Sequence, residues 1–197
     1  MSDAVPALFS SLADVLFRVE VTDGSGMRRP CDTGVATAVE LLRAQSAQGR
    51  KAIFIGNGGS AAIASHQAVD LWKNGGVRAI AFNDSSLLTC IANDYAFAHV
   101  FEKPVEMFAD AGDVLIAISS SGRSENVLRG ARAARERRCH VVTLSGFAPD
   151  NPLRGLGDLN FYAPGQGYGL VEITHLAICH AIIDAIVDRR PATGARE

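Results

Sequence analysis

The chain has 197 residues, 48% of them apolar and 20% charged, with a net charge of -2. That length suits one domain with a sizeable core, and the composition suits a folded soluble protein. No basic run points to nucleic acid, and no uncharged apolar stretch reaches the roughly 18 residues of a membrane span. The first twenty residues, MSDAVPALFSSLADVLFRVE, place acids early and no basic region before the apolar part. They are not expected to act as a signal peptide. Cys31, Cys90, Cys139 and Cys179 are scattered without a CxxC pair. They are expected to be reduced thiols of a cytoplasmic protein, each a small buried apolar side chain.

Ala7 to Val21 places Leu8, Leu12, Val15, Leu16 and Val19 on one helical stripe. DGSGMRRP (23–30) breaks it, and Thr33 to Ala47 follows as a second helix with Val35, Ala38, Val39, Leu41 and Leu42 inward. The pattern then changes to short apolar runs: AIFI (52–55), VRAIAF (77–82), DVLIAIS (113–119), HVVTL (140–144) and DLNFYA (158–163). Such runs suit strands buried on both faces. Helices are expected between them over Ser60 to Trp72, Ala98 to Phe108 and Ser124 to Arg138, and a last one runs from Gly169 to Asp188. The expected architecture is a single-domain, three-layer open α/β sandwich: a five-stranded parallel sheet plus two N-terminal helices. The helices occupy about 4–48 and the core about 51–188, followed by a frayed polar tail over 189–197.

Ligands of open α/β sheets bind at the carboxyl ends of strands. Two strand ends here carry phosphate-type turns. GNGGS (56–60) follows AIFI, and its glycines let backbone and helix N–H groups approach an anion. SSSGRSEN (119–126) offers Ser119, Ser120, Ser121 and Ser124, with Gly122 as the bend. Neither turn carries the lysine of a Walker loop. Gly56, Gly58 and Ala61 also fit a dinucleotide fingerprint, with Asp84 as the acid after the next strand. The serine cluster argues against that alternative, and four serines within six residues after a buried strand outweigh the competing explanation of a plain helix cap at Ser124 with the other serines idle.

His66 and Asp70 share one helix face at i, i+4. That spacing suits one metal ion, an acid/base pair or a surface hydrogen bond. The last helix carries Glu172, His175 and His180 in an apolar run. Glu172 and His175 are i, i+3 neighbours, whereas Glu172 and His180 are separated by about 12 Å of helix rise. Periodicity does not select His180 over His175. His99 and His140 read as structural.

Together, GNGGSAA…H…D, IANDYAF, DVLIAISSSGRSENV and E…H in a final helix resemble the sugar isomerase (SIS) domain family, and its phosphoheptose isomerase branch, over about Leu8 to Val187. The resemblance implies a flavodoxin-like fold and a homotetramer with active sites between subunits. It implies conversion of sedoheptulose 7-phosphate to D-glycero-D-manno-heptose 7-phosphate for surface polysaccharide, with Zn2+. By motif position it implies a metal set of His66, Asp70, Glu172 and His180, with Asp70 and His180 catalytic. Substrate contacts fall on Asn57, Gly58, Gly59, Ser60, Asn93, Asp94, Ser119, Ser120, Ser121, Ser124 and Glu172. Three residues depart from the family pattern. Asp70 stands where glutamate is usual, Glu172 where glutamine is usual, and Arg123 where asparagine is usual. A competing expectation is a non-catalytic SIS tetramer that binds sugar phosphate or a replication-initiator protein. The acid at position 70 and His180 favour catalysis.

Overall fold

The computed structural model describes residues 4–188. Helix α1 (Ala4–Phe17) leads into a short hairpin of β1 (Glu20–Asp23) and β2 (Arg28–Arg29), then α2 (Cys31–Ala47). The core follows as β3 (Ala52–Gly56), α3 (Gly59–Lys73), β4 (Ala79–Ala81), α4 (Ser85–Tyr95), α5 (Glu102–Phe108), β5 (Val114–Ser119), α6 (Glu125–Glu136), β6 (His140–Gly146), β7 (Leu159–Ala163) and α7 (Tyr168–Asp188).

The sheet has seven strands in the order β2-β1-β7-β6-β5-β3-β4. The five expected runs form its parallel part, β3 to β7. The other two strands correct the five-stranded expectation: β1 pairs antiparallel with both β7 and β2. The segment expected to end a helix and then break is instead a hairpin. Asp23 explains the turn, because its carboxylate accepts from the backbone N–H groups of Ser25 and Met27 and from the Arg29 guanidinium. The Ser25 hydroxyl, which also donates to this carboxylate at 2.6 Å, and then the Arg29 guanidinium and the backbone N–H groups lower the Asp23 pKa to about 2. The hairpin also covers the edge that β7 would otherwise expose.

Alternation along the strands builds two cores. Phe54, Ile116, Ile118, Leu144 and Phe161 face a layer that includes Val39, Leu42, Leu71, Ile178 and Ile183. Ile53, Ile55, Leu115, Ala117 and Val141 face the opposite layer with Phe101, Val105, Val127 and Ala131. Period-two alternation between two apolar layers is why these strands read as continuous apolar runs. Helix α7 is long and apolar enough to pass for a membrane span, with a mean hydropathy of 1.8. Its Val171, Thr174, His175, Ile178, Cys179, Ile182, Ile183 and Ile186 are buried inside the protein, so it is a core helix here.

Two helical expectations shift. Asp84 caps the unexpected α4, accepting the Leu87 N–H at 3.0 Å. The stretch expected as one helix over 98–108 is a 3-10 turn at Phe97–His99 followed by α5. Cys139 and Cys179 are buried as expected, but Cys31 and Cys90 are exposed, and all four are free thiols. The expected polar tail over 189–197 lies outside the described residues.

Candidate active site

Counting only the parallel strands in chain order, the sheet runs 2-1-3-4-5, so the order reverses between β3 and β5. Such a switch point leaves a crevice at the strand carboxyl ends. The two phosphate-type turns leave those ends. They line one cleft of about 230 Å3 with Asn57, Gly58, Gly59, Ser60, Ser119, Ser120, Ser121, Ser124, Tyr168 and Glu172.

The serines are not idle caps. Ser124 starts α6 without a side-chain capping bond, and the Ser119 hydroxyl donates to its Oγ at 3.3 Å. The Ser121 hydroxyl accepts from the Arg123 N–H, whereas the buried Ser120 Oγ has no partner. A buried hydroxyl with no partner at a cleft is suited to a polar ligand. Two glycines make room for neighbouring side chains. A Cβ at Gly59 would lie 2.3 Å from Glu172 Oε2, so only glycine lets that carboxylate lie against the turn. Gly122 bends at φ +61, and a Cβ there would lie 2.0 Å from Asn151 Oδ1. Asn151 is buried and donates to Ser145 Oγ and Ala148 O, so it anchors the loop from behind.

Further along α3 and α7, which bring Ser60 and Glu172 to the cleft, stand the ionisable residues. His66, Asp70 and His180 offer ligand atoms that all lie within 4.8 Å of one another. His66 Nε2 is 3.3 Å from Asp70 Oδ2, and the His66 and His180 rings meet edge to face at 5.6 Å. Two imidazoles and a carboxylate suit Zn2+ with an open coordination position. Glu172 is not in this group and lies instead at the cleft. The structure thus brings together three of the four expected ligands.

Burial and neighbours distinguish His175 from His180. His175 is 0% exposed and its Nε2–H donates to Ser145 O at 3.0 Å. Burial lowers its pKa to about 4. His180 joins His66 and Asp70 instead. Asn93 and Asp94 are exposed on α4, bonded to each other at 2.9 Å, and do not line the cleft. Arg123 is exposed and paired with Asp150 at 3.4 Å.

Sequence reasoning missed Tyr168. Its ring lines the cleft and meets Phe147 edge to face at 5.1 Å and 82°. Phe147 has a left-handed backbone, φ +57, and its carbonyl accepts from the Tyr162 hydroxyl at 2.8 Å. No sequence pattern marks a residue that supports another across a loop. Asp84, the acid of the dinucleotide alternative, caps α4 by accepting the Leu87 N–H.

The fold and this cleft define an α/β sugar-isomerase domain, and residues 27–146 match the family described as SIS domain. A phosphoheptose isomerase of Bradyrhizobium sp. (strain ORS 278) is 40% identical, over 94% of this chain and 96% of its own length. One from Geobacter sulfurreducens is 38% identical over 79% and 85%. The solved phosphoheptose isomerase GmhA from Neisseria gonorrhoeae superimposes with a TM-score of 0.82 at 32% identity, over 94% of this chain and 98% of that one. The chain belongs to the SIS domain family and, within it, to the phosphoheptose isomerases.

Proposed function

We propose that this protein isomerises sedoheptulose 7-phosphate to D-glycero-D-manno-heptose 7-phosphate for surface polysaccharide synthesis, as a single-domain cytoplasmic enzyme. One observation carries the reading beyond family membership: a hydroxyl-lined cleft and an acid/base cluster lie along the same helix pair, α3 and α7. Ser60 and His66 are separated by about 9 Å of helix rise, and Glu172 and His180 by about 12 Å. An extended seven-carbon ketose phosphate can span such a gap, with its phosphate among the serines and C1 and C2 at the cluster.

The reaction removes a proton from C1 of the ketose, forms a cis-enediol and returns a proton to C2. In this reading Asp70 and His180 hold these protons and those of the two oxygens. Ser119, Ser120, Ser121 and Ser124 bind the phosphate, and Asn57, Gly58, Gly59, Ser60 and Glu172 face the sugar. Binding energy from that remote end orients the reacting carbons. His66, Asp70 and His180 would hold Zn2+, with Glu172 as the fourth candidate on the cleft side. When bound, the ion would polarise the carbonyl oxygen and stabilise negative charge there.

A homotetramer with sites between subunits completes the reading. Phe9 and Phe17 on α1, and Trp72, Ile80 and Phe108 around the β4 edge, are exposed apolar residues suited to contacts between copies. Asn93 and Asp94 lie outside their own cleft, which supports their service to a neighbouring site. The test is NMR-monitored isomerisation of sedoheptulose 7-phosphate, with and without chelator, together with a light-scattering mass. Turnover abolished by chelator and restored by Zn2+ is expected. Metal-loaded protein inactive on seven-, six- and five-carbon ketose phosphates would sink the reading.

A further inference from the structure

Helix α3 turns one stripe inward: Ser60, Ile63, Ala64, Gln67, Ala68 and Leu71. An apolar residue belongs at position 67 of such a stripe. Gln67 is nevertheless there, 0% exposed, with its Oε1 lacking any partner. A buried amide with an unpaired oxygen is unfavourable for folding, so its presence calls for another reason. Its Nε2 lies 3.1 Å from His180 Nε2, a contact that joins α3 to α7 across 113 residues.

We infer that Gln67 is a positioning residue for His180, holding the ring by Nε2 so that Nδ1 is the nitrogen left for chemistry. This rests on the reading of His180 as a proton-transfer group. An amide N–H directed at Nε2 takes up that lone pair and places the ring proton on Nδ1. A carboxamide also has an acceptor face, so after turning over it can receive a proton from Nε2–H. Gln67 therefore selects the Nδ1–H tautomer in metal-free protein, and would turn over to accept from Nε2–H only if Nδ1 gave its lone pair to a metal. A methionine fills similar space but offers neither face. The partner on the far nitrogen of a working histidine sets ring orientation and tautomer. Gln67 is the one residue whose hydrogen bond reaches the His180 ring among the described residues.

The deciding variant is Gln67→Met, with Gln67→Leu repeating the test on a second apolar shape. The first readout needs no turnover: the ring-nitrogen chemical shifts of His180 in metal-free protein at alkaline pH. Wild type is expected to show one dominant tautomer and Gln67→Met a mixture. Melting temperature is expected to hold or rise, because an unpaired buried oxygen is removed. With sedoheptulose 7-phosphate, kcat is expected to fall about 10- to 100-fold at nearly constant KM. Unchanged His180 shifts in both variants would overturn the inference. So would a Tm loss above about 5 °C in both, which would make the amide a structural bond. If the wild type turns over no sugar phosphate, the functional reading fails, and the nitrogen shifts still decide the role of Gln67.

Discussion

Asn57 and Asn126 form a closed amide pair across a separation of 69 residues. Asn57 Nδ2 donates to Asn126 Oδ1 at 2.9 Å, and Asn126 Nδ2 donates back to Asn57 Oδ1 at 2.8 Å. The same Asn126 oxygen accepts the Val127 N–H. The pair clamps the glycine turn after β3 to the start of α6, just past the serine loop. Asn126→Ala leaves Asn57 without this partner at a half-buried site. It should cost about 1–3 kcal/mol in urea denaturation and raise KM more than it lowers kcat.

Ser120 and Gly122 should respond oppositely in stability. Ser120→Ala removes a buried hydroxyl that lacks a partner, so Tm should hold while KM for sugar phosphate rises. Gly122→Ala meets Asn151 Oδ1 and an unfavourable φ together, and should cost about 1–3 kcal/mol. Thermal melts and Michaelis curves on the two variants separate binding from scaffolding.

Substitution within the ionisable cluster should impair chemistry or metal binding while sparing sugar-phosphate binding. Asp70→Asn and His180→Ala should each lower kcat by about 100-fold or more while sugar-phosphate binding persists in calorimetry. His66→Ala should weaken Zn2+ binding measured in the same instrument. Full activity in both Asp70→Asn and His180→Ala would refute the catalytic assignment.

Tyr168 and Phe147 offer a graded test. Tyr168→Phe keeps the edge-to-face contact and removes the hydroxyl, so any rise in KM belongs to a polar contact with substrate. Tyr168→Ala should raise KM further. A left-handed phenylalanine costs roughly 1–2 kcal/mol, which Phe147→Gly would relieve while withdrawing support from Tyr168. The expected result is a raised KM without the full loss of stability that an apolar deletion usually brings.

Stability should decline as pH falls from about 6.5 toward 4, and His175 is the named cause. Its pKa is about 4 when folded and 6.5 as a free group, so the unfolded chain binds the extra proton first. The neutral buried ring thus contributes its stability above pH 6.5 and loses it as pH falls through 4. Denaturation midpoints across that window should fall less steeply for His175→Gln than for wild type.

Sequence by itself determined the local parts of this protein. The five apolar runs, the glycine turn, the serine loop and the His66–Asp70 spacing follow from side-chain periodicity and turn chemistry, which act over a few residues. The hairpin at 20–29 escaped because Val19 and Val21 continue the apolar count of α1. Only pairing with β7, some 140 residues away, makes Val21 a strand residue. Tertiary structure alone decided that His180 and not His175 meets His66, since both lie on one apolar helix and only packing distinguishes its faces. It alone placed Glu172 at the cleft and outside the close His–Asp–His group, and revealed Gln67 and Tyr168. Those relations depend on how helices and loops meet across the sheet, and no periodicity within one segment encodes them.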